Sequence, residues 1–245
     1  MALVPGAGCD DVCLLHHLCT RTLEKTESEM ELGMDIILKY FGDFTDNQLK
    51  QFQSLDALYK DWNEKINVIS RKDMDGLYEK HILHSLSIAA TFDFPAGLEI
   101  IDLGTGGGFP GIPLAIFFPE IKFHLVDSIA KKLKVVQAVA DAIELKNVTV
   151  QHTRVEDIRN RKFHYVVSRA VAPLNELWQW SKPLLHKELS HHAENEANRP
   201  GLICLKGGDL NKEIQDSGTR PRMIEIKEIF NEPYFEEKYL LYISK

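Results

Sequence analysis

The residues best suited to chemistry form a glycine-rich turn after a short apolar run. The sequence IIDLGTGGGFPGIP spans residues 100–113, and Asp102 ends its apolar part. Four glycines follow closely: Gly104, Gly106, Gly107 and Gly108. Because glycine has no Cβ, such a turn can bend sharply and let the backbone approach a ligand. Dinucleotide-binding folds in general share this pattern, so it indicates a ligand without naming one.

The glycine spacing bears on which cofactor could bind. The NAD fingerprint G-x-G-x-x-G, counted from Gly104, needs a small residue where Phe109 stands. Counting from Gly106 instead restores the pattern, with Gly108 and Gly111 in its second and third glycine places. NAD is therefore disfavoured but stays an alternative.

An acidic residue ends the next apolar segment, IKFHLVD. This residue, Asp127, follows Gly104 by 23 positions. A carboxylate there can accept hydrogen bonds from both hydroxyls of a nucleoside ribose. The competing interpretation is an N-cap for the helix predicted to begin near Ile129. We favour ribose binding, because Ser128 is available to cap that helix.

Two later polar clusters also follow apolar segments. The first is RVED, residues 154–157, whose acidic groups and backbone amides could bracket an adenine ring. Taken alone, it is better explained as ordinary charge scatter in a loop. The second is SRA, residues 168–170, in which Arg169 ends a predicted strand. An arginine buried in a crevice is costly without a partner, which makes Arg169 a functional candidate.

Alternating strands and helices are predicted to position these residues. The strands are residues 98–103, 121–127, 148–152, 164–170 and 202–207, with helices at 129–145 and 174–186. Residues 223–230 and 238–244 resemble an antiparallel closing pair. This order predicts an α/β fold, a doubly wound, Rossmann-like parallel sheet with helices on both faces. Ligands of such sheets bind at the carboxyl ends of the strands.

The chain before the sheet divides into two parts. Residues 34–94 show helical periodicity and should form an N-terminal helical cap on the main domain, residues 95–245. Thr45 and Gln48 form a capping box for one of its helices. Residues 1–33 lack periodicity and are predicted to be a disordered extension. The alternative is a zinc site built from Cys9, Cys13, His16 or His17, and Cys19. The spacing of these residues differs from that of usual zinc ligands and disfavours this alternative.

Composition indicates a globular protein of the cytoplasm. No apolar stretch is long enough to span a membrane, no secretory signal is visible, and four cysteines with only Cys204 in the main body suit a reducing compartment. The net charge is −7, yet residues 120–170 carry 10 basic and 6 acidic side chains. A local basic face of this kind can bind phosphates despite the overall charge, although charge scatter explains it equally well.

Seven segments together resemble one family. They occur in that family's order: WNEKINV (62–68), KHILHS (80–85), DLGTGGGFPGIPL (102–114), VDS followed by Lys131 and Lys132, RVED (154–157), SRA (168–170) and LKGG (205–208). The chain is thereby similar to the RsmG family, also called glucose-inhibited division protein B, from about Thr45 to the C-terminus. The turn with Phe109 and the SRA segment are its most specific motifs.

The resemblance implies a fold and an activity. Members are class I methyltransferases that transfer a methyl group from S-adenosylmethionine to N7 of a guanine in 16S ribosomal RNA, guanine 527 of the small subunit. It implies cofactor contacts at Gly104, Phe109, Val155, Glu156 and Arg169. The glycine pattern and the strand-end position add Gly106 and Asp127, which makes seven predicted contacts. Arg169 is also expected to be the catalytic residue beside the methyl group. We further expect a monomer that uses no metal and binds no membrane.

Charge and position suggest where the RNA lies. Lys131 and Lys132, just past the second strand, and Lys206, at the end of the fifth, are predicted to form a phosphate-binding rim. The chain departs from the family at His84, where an aspartate is usual, and in a longer loop at 188–200. Its first 33 residues have no counterpart.

The residues also weigh against other reactions. Carbon-5 methylation of pyrimidines needs a cysteine nucleophile, and Cys204 lies inside an apparent strand. NEPYF, residues 231–235, imitates the motif of exocyclic-amine methyltransferases, but it falls between the last two strands. Guanine N7 carries a free lone pair, so positioning alone could suffice. A Rossmann-type NAD-binding oxidoreductase or a non-catalytic nucleotide-binding module is the alternative function.

Overall fold

The computed structural model describes residues 33–169, 171–187 and 199–245. All but the last of residues 1–33, for which disorder is predicted, lie outside the described residues, as do the alternative zinc site and most of the 188–200 loop. Residue 170 of the SRA segment is likewise outside them.

A seven-stranded sheet forms the centre of the protein. Its strands are β1 (Glu99–Leu103), β2 (Lys122–Asp127), β3 (Val148–His152), β4 (Tyr165–Arg169), β5 (Gly201–Gly207), β6 (Arg222–Glu225) and β7 (Lys238–Ser244). Their order is β3-β2-β1-β4-β5-β7-β6, with β1 to β5 parallel and β7 antiparallel to both of its neighbours. The predicted parallel sheet and its antiparallel closing pair are confirmed.

The strand order reverses direction between β1 and β4. From β1 the chain proceeds outward to β2 and β3, then returns so that β4 pairs with the other side of β1. In open α/β sheets the crevice at such a reversal is where ligands bind, at the carboxyl ends of the strands. The residues that follow β1 and those that end β4 meet at this crevice.

Helices cover both faces of the sheet, as predicted. They are α1 (residues 33–38), α2 (Asp46–Lys65), α3 (His84–Thr91), α4 (Gly111–Phe117), α5 (Ala130–Ala142), α6 (Leu174–Leu184), α7 (Asn211–Ser217) and α8 (Ile226–Ile229). Strand residues alternate between the two faces. Ile100 and Val167 join the core beneath α2 to α5, whereas Ile101 and Val166 join the core beneath α6 and α7.

The N-terminal helices pack directly on one face of the sheet. Helix α2 begins with the predicted capping box, in which Thr45 Oγ1 accepts from the Gln48 backbone amide and the Gln48 side chain accepts from the Thr45 amide. Phe52, Leu55 and Tyr59 of α2 are fully buried in the core shared with α4 and α5. The helical cap is thus built into the main core.

A π-helical segment, Leu77–Leu83, leads into α3. Such segments replace the usual i−4 bonds with longer ones and are frequent at functional sites. The amide of His84 accordingly reaches the carbonyl of Glu79. The segment carries Lys80 and His81, and it faces the end of β4.

One predicted element is partly wrong. Residues 223–230 were expected to be a strand, but β6 ends at Glu225 and α8 follows at once. The apolar side chains explain the change, because Ile226 and Phe230 are both buried and lie four residues apart, on one side of a helix. No helix among the described residues is long and apolar enough to cross a membrane.

Candidate active site

A cavity of about 510 Å³ opens where the strand order reverses. The glycine turn after β1, the end of β2, the segment after β3 and the end of β4 all contribute to it. The seven predicted cofactor contacts line it: Gly104, Gly106, Phe109, Asp127, Val155, Glu156 and Arg169. The fold therefore brings together residues that lie up to 65 positions apart in the sequence.

A buried carboxylate holds the glycine turn in shape. Asp102 Oδ2 accepts from Thr105 Oγ1 at 2.6 Å and from the Gly111 amide at 2.9 Å. Burial raises the pKa of Asp102 to about 7, and these two hydrogen bonds oppose the rise. Within the described chain, Asp102 Oδ1 has no hydrogen-bond partner. The turn thus carries an incompletely satisfied acid directly beneath the ligand cavity.

Two glycines of the turn differ in what surrounds them. Gly104 and Gly106 have positive φ angles, +66° and +58°, which residues other than glycine rarely adopt. A Cβ on Gly104 would lie 2.6 Å from the Val171 side chain, whereas one on Gly106 would meet only the Gly104 carbonyl at 3.9 Å. Gly106 is therefore the glycine that opens space in the cavity.

The carboxylate of Asp127 binds two backbone amides, one of which lies at the start of α5, close to the capping role that was its competing interpretation. Its Oδ2 accepts from the Gly106 amide at 2.9 Å, and its Oδ1 accepts from the Ile129 amide at 2.8 Å. The expectation that Ser128 would cap α5 is wrong, because no side chain caps this helix at its Ile129 N-cap. Each carboxylate oxygen retains a lone pair, so ribose hydroxyls can still donate to Asp127.

The segment after β3 forms the opposite wall of the cavity. Val155 and Glu156 belong to a short 3₁₀ turn, Val155–Asp157. The Thr153 amide donates to the Asp127 carbonyl at 3.2 Å, which places this turn beside the end of β2. Val155 supplies an apolar surface and Glu156 an exposed carboxylate, a combination that suits the face and edge of an adenine ring.

Phe109 connects the glycine turn to the helical cap. Its ring is 4% exposed and packs against the ring of Tyr59 at 5.0 Å and that of His81 at 5.1 Å. The guanidinium carbon of Arg169 lies 5.1 Å from the centre of the same ring. This distance is within the range of a cation–π interaction. Phe109 thus supports the side chain predicted to be catalytic.

Arg169 is fixed by the π-helical segment. Its Nη1 donates to the Lys80 carbonyl at 3.2 Å, and its Nη2 lies 2.8 Å from His81 Nδ1. A guanidinium can only donate, so His81 Nδ1 accepts and the proton of the neutral ring is on Nε2. Burial, together with the charge of Arg169, lowers the pKa of His81 to about 3, which keeps the ring neutral.

A second cavity, of about 620 Å³, adjoins the first. Arg169 and Val171 line both cavities. Tyr234 also lines the second cavity, and its hydroxyl donates to the Lys80 carbonyl, 3.4 Å away, which Arg169 shares. The sequence analysis placed Tyr234 within NEPYF but missed its position here, because a contact between residues 80 and 234 leaves no local pattern.

The three predicted RNA-binding lysines occupy different places. Lys131 is exposed in the first turn of α5, whereas Lys132 is half-buried and lines the cofactor cavity. Lys206 lines the second cavity with only 9% of its side chain exposed. Its Nζ contacts Glu213 at 2.6 Å and the Ala172 carbonyl at 2.5 Å. Lys206 is thus paired inside the protein rather than displayed on an outer rim.

The strand order and the cavity at its reversal point define a class I methyltransferase fold. Two solved structures share this fold over 81% of the chain at 12% identity. One is MtNAS in complex with MTA and tNA, with a TM-score of 0.54 and 74% of that chain covered. The other is a mutant of MtNAS in complex with S-adenosylmethionine, with a TM-score of 0.52 and 76% covered.

The chain belongs to the family described as rRNA small subunit methyltransferase G, whose model matches residues 47–226. A relative from Bacteroides thetaiotaomicron is 54% identical over 209 residues, which are 85% of this chain and 98% of the relative. A relative from Flavobacterium johnsoniae is 51% identical over 210 residues, 86% of this chain and 97% of the relative. Both relatives are named ribosomal RNA small subunit methyltransferase G.

Proposed function

We propose that the protein transfers a methyl group from S-adenosylmethionine to N7 of a guanine in 16S ribosomal RNA, the family's guanine 527. One observation carries the proposal. In a chain of this family, the glycine turn, Asp127 and Arg169 converge on one cavity at the reversal point of the sheet. A second cavity, reached past Arg169, leaves room for the base that accepts the methyl group.

The lining of the first cavity suits S-adenosylmethionine. The open side of Gly106 gives the ligand access to backbone, and Asp127 can accept from ribose hydroxyls. Val155 and Glu156 would contact the adenine. When bound, S-adenosylmethionine supplies an electrophilic methyl group on a positively charged sulfur.

The titratable groups around Arg169 are consistent with attack by guanine N7, a reaction that needs no catalytic base. N7 carries a lone pair in neutral guanine, so no base has to remove a proton before the methyl group moves. His81 uses its only acceptor nitrogen to bind Arg169, so it has no nitrogen left to take a proton from the substrate. Arg169 would donate to guanine O6, next to N7, and hold the ring in line with the methyl group. Catalysis would then rest chiefly on positioning.

Two other methylation chemistries find little support in the site. Cys204 is fully buried on β5, lines neither cavity, and burial raises the pKa of its thiol to about 12. In NEPYF the first place, where the motif has asparagine or aspartate, is Asn231, which lines neither cavity, and its neighbour Glu232 binds Lys39 and Tyr40 at 2.6 and 2.8 Å. A pyrimidine-carbon or exocyclic-amine reaction would need one of these groups at the acceptor.

We further propose that the protein acts as a monomer in the cytoplasm on the RNA of the small ribosomal subunit. Among the described residues, four large apolar side chains are exposed, and two of them, Ile129 and Val171, line the cofactor cavity. Lys131 is exposed next to Lys132, which lines that cavity, and offers a contact for RNA phosphates.

Calorimetry with S-adenosylmethionine and with NAD tests the cofactor, and transfer of labelled methyl groups tests the substrate. The RNA should come from small subunits of cells that lack their own copy of the enzyme. We expect binding of S-adenosylmethionine alone, and label in 16S RNA but not in RNA that is already methylated. Binding of NAD with no label transferred would instead support the nucleotide-binding alternative.

A further inference from the structure

The second cavity contains a buried histidine that the proposed reaction leaves unexplained. His84 is 5% exposed and lines this cavity but not the first. Its ring packs against Tyr234 and Phe235, with centroid distances of 6.0 and 5.8 Å. Neither ring nitrogen makes a hydrogen bond of good geometry among the residues that the structure describes, although the Lys80 carbonyl acts on the ring as an acceptor. A buried ring whose polar atoms are left unpaired is destabilising unless a ligand satisfies them.

His84 is neutral, and this decides what it can bind. Burial, together with the charges of Arg169 and Lys238, lowers its pKa to about 3. A neutral imidazole has one donor and one acceptor nitrogen. The cavity is also lined by two carboxylates, but Asp73 already accepts from Ser70 and Lys80, and Glu213 accepts from Lys206. The guanidinium of Arg169 can only donate. His84 therefore adds a further acceptor to this wall.

A guanine in this cavity has a defined orientation. Its N7 must face the first cavity, where the methyl donor would lie, and its O6 is on the same edge. Arg169, which lines both cavities, is the donor at that boundary. The adjoining Watson–Crick edge carries the N1 and N2 hydrogens, both donors. With N7 at the first cavity, that edge lies within the second cavity, whose wall includes His84.

We propose that the second cavity holds the acceptor guanine and that His84 accepts a hydrogen bond from its N1–N2 edge. The inference rests on the proposed function and assigns His84 as a specificity-determining residue of that site. Adenine has no hydrogen on N1 and no amino group at C2, so it could not make this bond. Adenine would also present its N6 amino group to Arg169, and because both groups are donors they could not form a hydrogen bond.

Substitution at His84 tests the proposal. His84→Phe keeps a planar ring but removes the acceptor, and His84→Asn keeps an acceptor in a smaller side chain. The substrates are 16S RNA with guanine or with adenine at the target position. For guanine RNA, kcat/KM should fall about tenfold or more in His84→Phe and less in His84→Asn. The preference for guanine over adenine should fall in the same order, and the affinity for S-adenosylmethionine should not change.

His124→Phe is the matched control. His124 is also 5% exposed, but its nitrogens contact Thr149 and Gln151, and it lines neither cavity. This variant should lose stability while its kcat/KM and base preference stay unchanged. If His84→Phe keeps the wild-type preference and kcat/KM, or loses cofactor affinity in parallel, the assignment of His84 is wrong. If the wild-type protein does not methylate guanine N7, the proposed function fails first and this inference with it.

Discussion

Tyr59 Oη donates to the Gly107 carbonyl at a distance of 2.7 Å. This hydrogen bond joins α2 of the helical cap to the glycine turn after β1. The Tyr59 ring also contacts Phe109, over which Arg169 lies. The helical cap therefore shapes the cofactor cavity from behind, and a change in α2 should be felt by the ligand.

Tyr59→Phe should weaken both folding and cofactor binding. Loss of the hydroxyl leaves the Gly107 carbonyl buried without this donor, which should cost about 1–3 kcal/mol in the free energy of unfolding. The loosened turn should lower the affinity for S-adenosylmethionine several-fold by calorimetry. Tyr78→Phe is the control, since Tyr78 donates to the Phe52 and Gln53 carbonyls away from the turn. Equal losses of affinity in both variants would contradict the coupling.

Gly104→Ala and Gly106→Ala should differ in how much they lower the stability of the protein and its affinity for the cofactor. Both substitutions force alanine into positive φ, at a cost of about 1–2 kcal/mol. Gly104→Ala should destabilise further, because its Cβ would overlap Val171. Gly106→Ala should lower cofactor affinity more than stability, because its Cβ has room but faces the cavity. Thermal unfolding and calorimetry check both, and identical behaviour of the two variants would refute the distinction.

Asp127→Ala should weaken the binding of S-adenosylmethionine by about 1.5–3 kcal/mol, the scale of charge-assisted hydrogen bonds. Part of the loss should come from the glycine turn, because the Gly106 and Ile129 amides lose their acceptor. Ser128→Ala, at an exposed neighbour in the same cavity, should leave the affinity within about twofold. An unchanged affinity in Asp127→Ala would remove this carboxylate from the site.

The stability of the ligand-free protein should depend on pH through Asp102. Its folded pKa of about 7 lies above the value of about 3.9 for an unfolded aspartate. Between these values the folded state retains a proton that the unfolded state has lost. Stability should therefore fall as the pH rises from 4 to 7, by at most about 1.4 kcal/mol per pH unit, and level off above.

Urea unfolding of wild type and Asp102→Asn at several pH values measures this effect. Asparagine does not ionise, so the stability difference should move in favour of the variant as the pH rises towards 7. Two curves that run parallel across this range would show that Asp102 is ionised in the folded protein at the pH values tested.

Local sequence patterns were enough to predict most of the fold. The alternation of Ile100 and Ile101 between two cores, and the Thr45 capping box, depend on neighbours within a few residues. The position of Asp127 at the end of a predicted strand was enough to place it beside the glycine turn, because the carboxyl ends of parallel strands meet at one edge of the sheet. Helix α8 was missed, since Ile226 and Phe230 fit a strand pattern until their burial is known.

The parts that could not be predicted depend on distant contacts. The Lys80 carbonyl receives Arg169 and Tyr234, which lie 89 and 154 positions away in the sequence. Lys206 was expected to face RNA, but Glu213 of α7 neutralises it. Such pairings depend on how helices pack on the sheet, and single residue types do not reveal that.

The position of the methyl group in the product tests the central claim most directly. Small-subunit RNA from cells lacking the enzyme should be treated with the protein and S-adenosylmethionine, then cleaved with borohydride and aniline. We predict scission at one guanine, the family's guanine 527, with 7-methylguanosine in the nucleoside digest. Arg169→Lys should slow this transfer more than it weakens RNA binding, because lysine lacks the planar fork. A methyl group on an exocyclic amine, a ribose hydroxyl or a pyrimidine carbon would contradict the account.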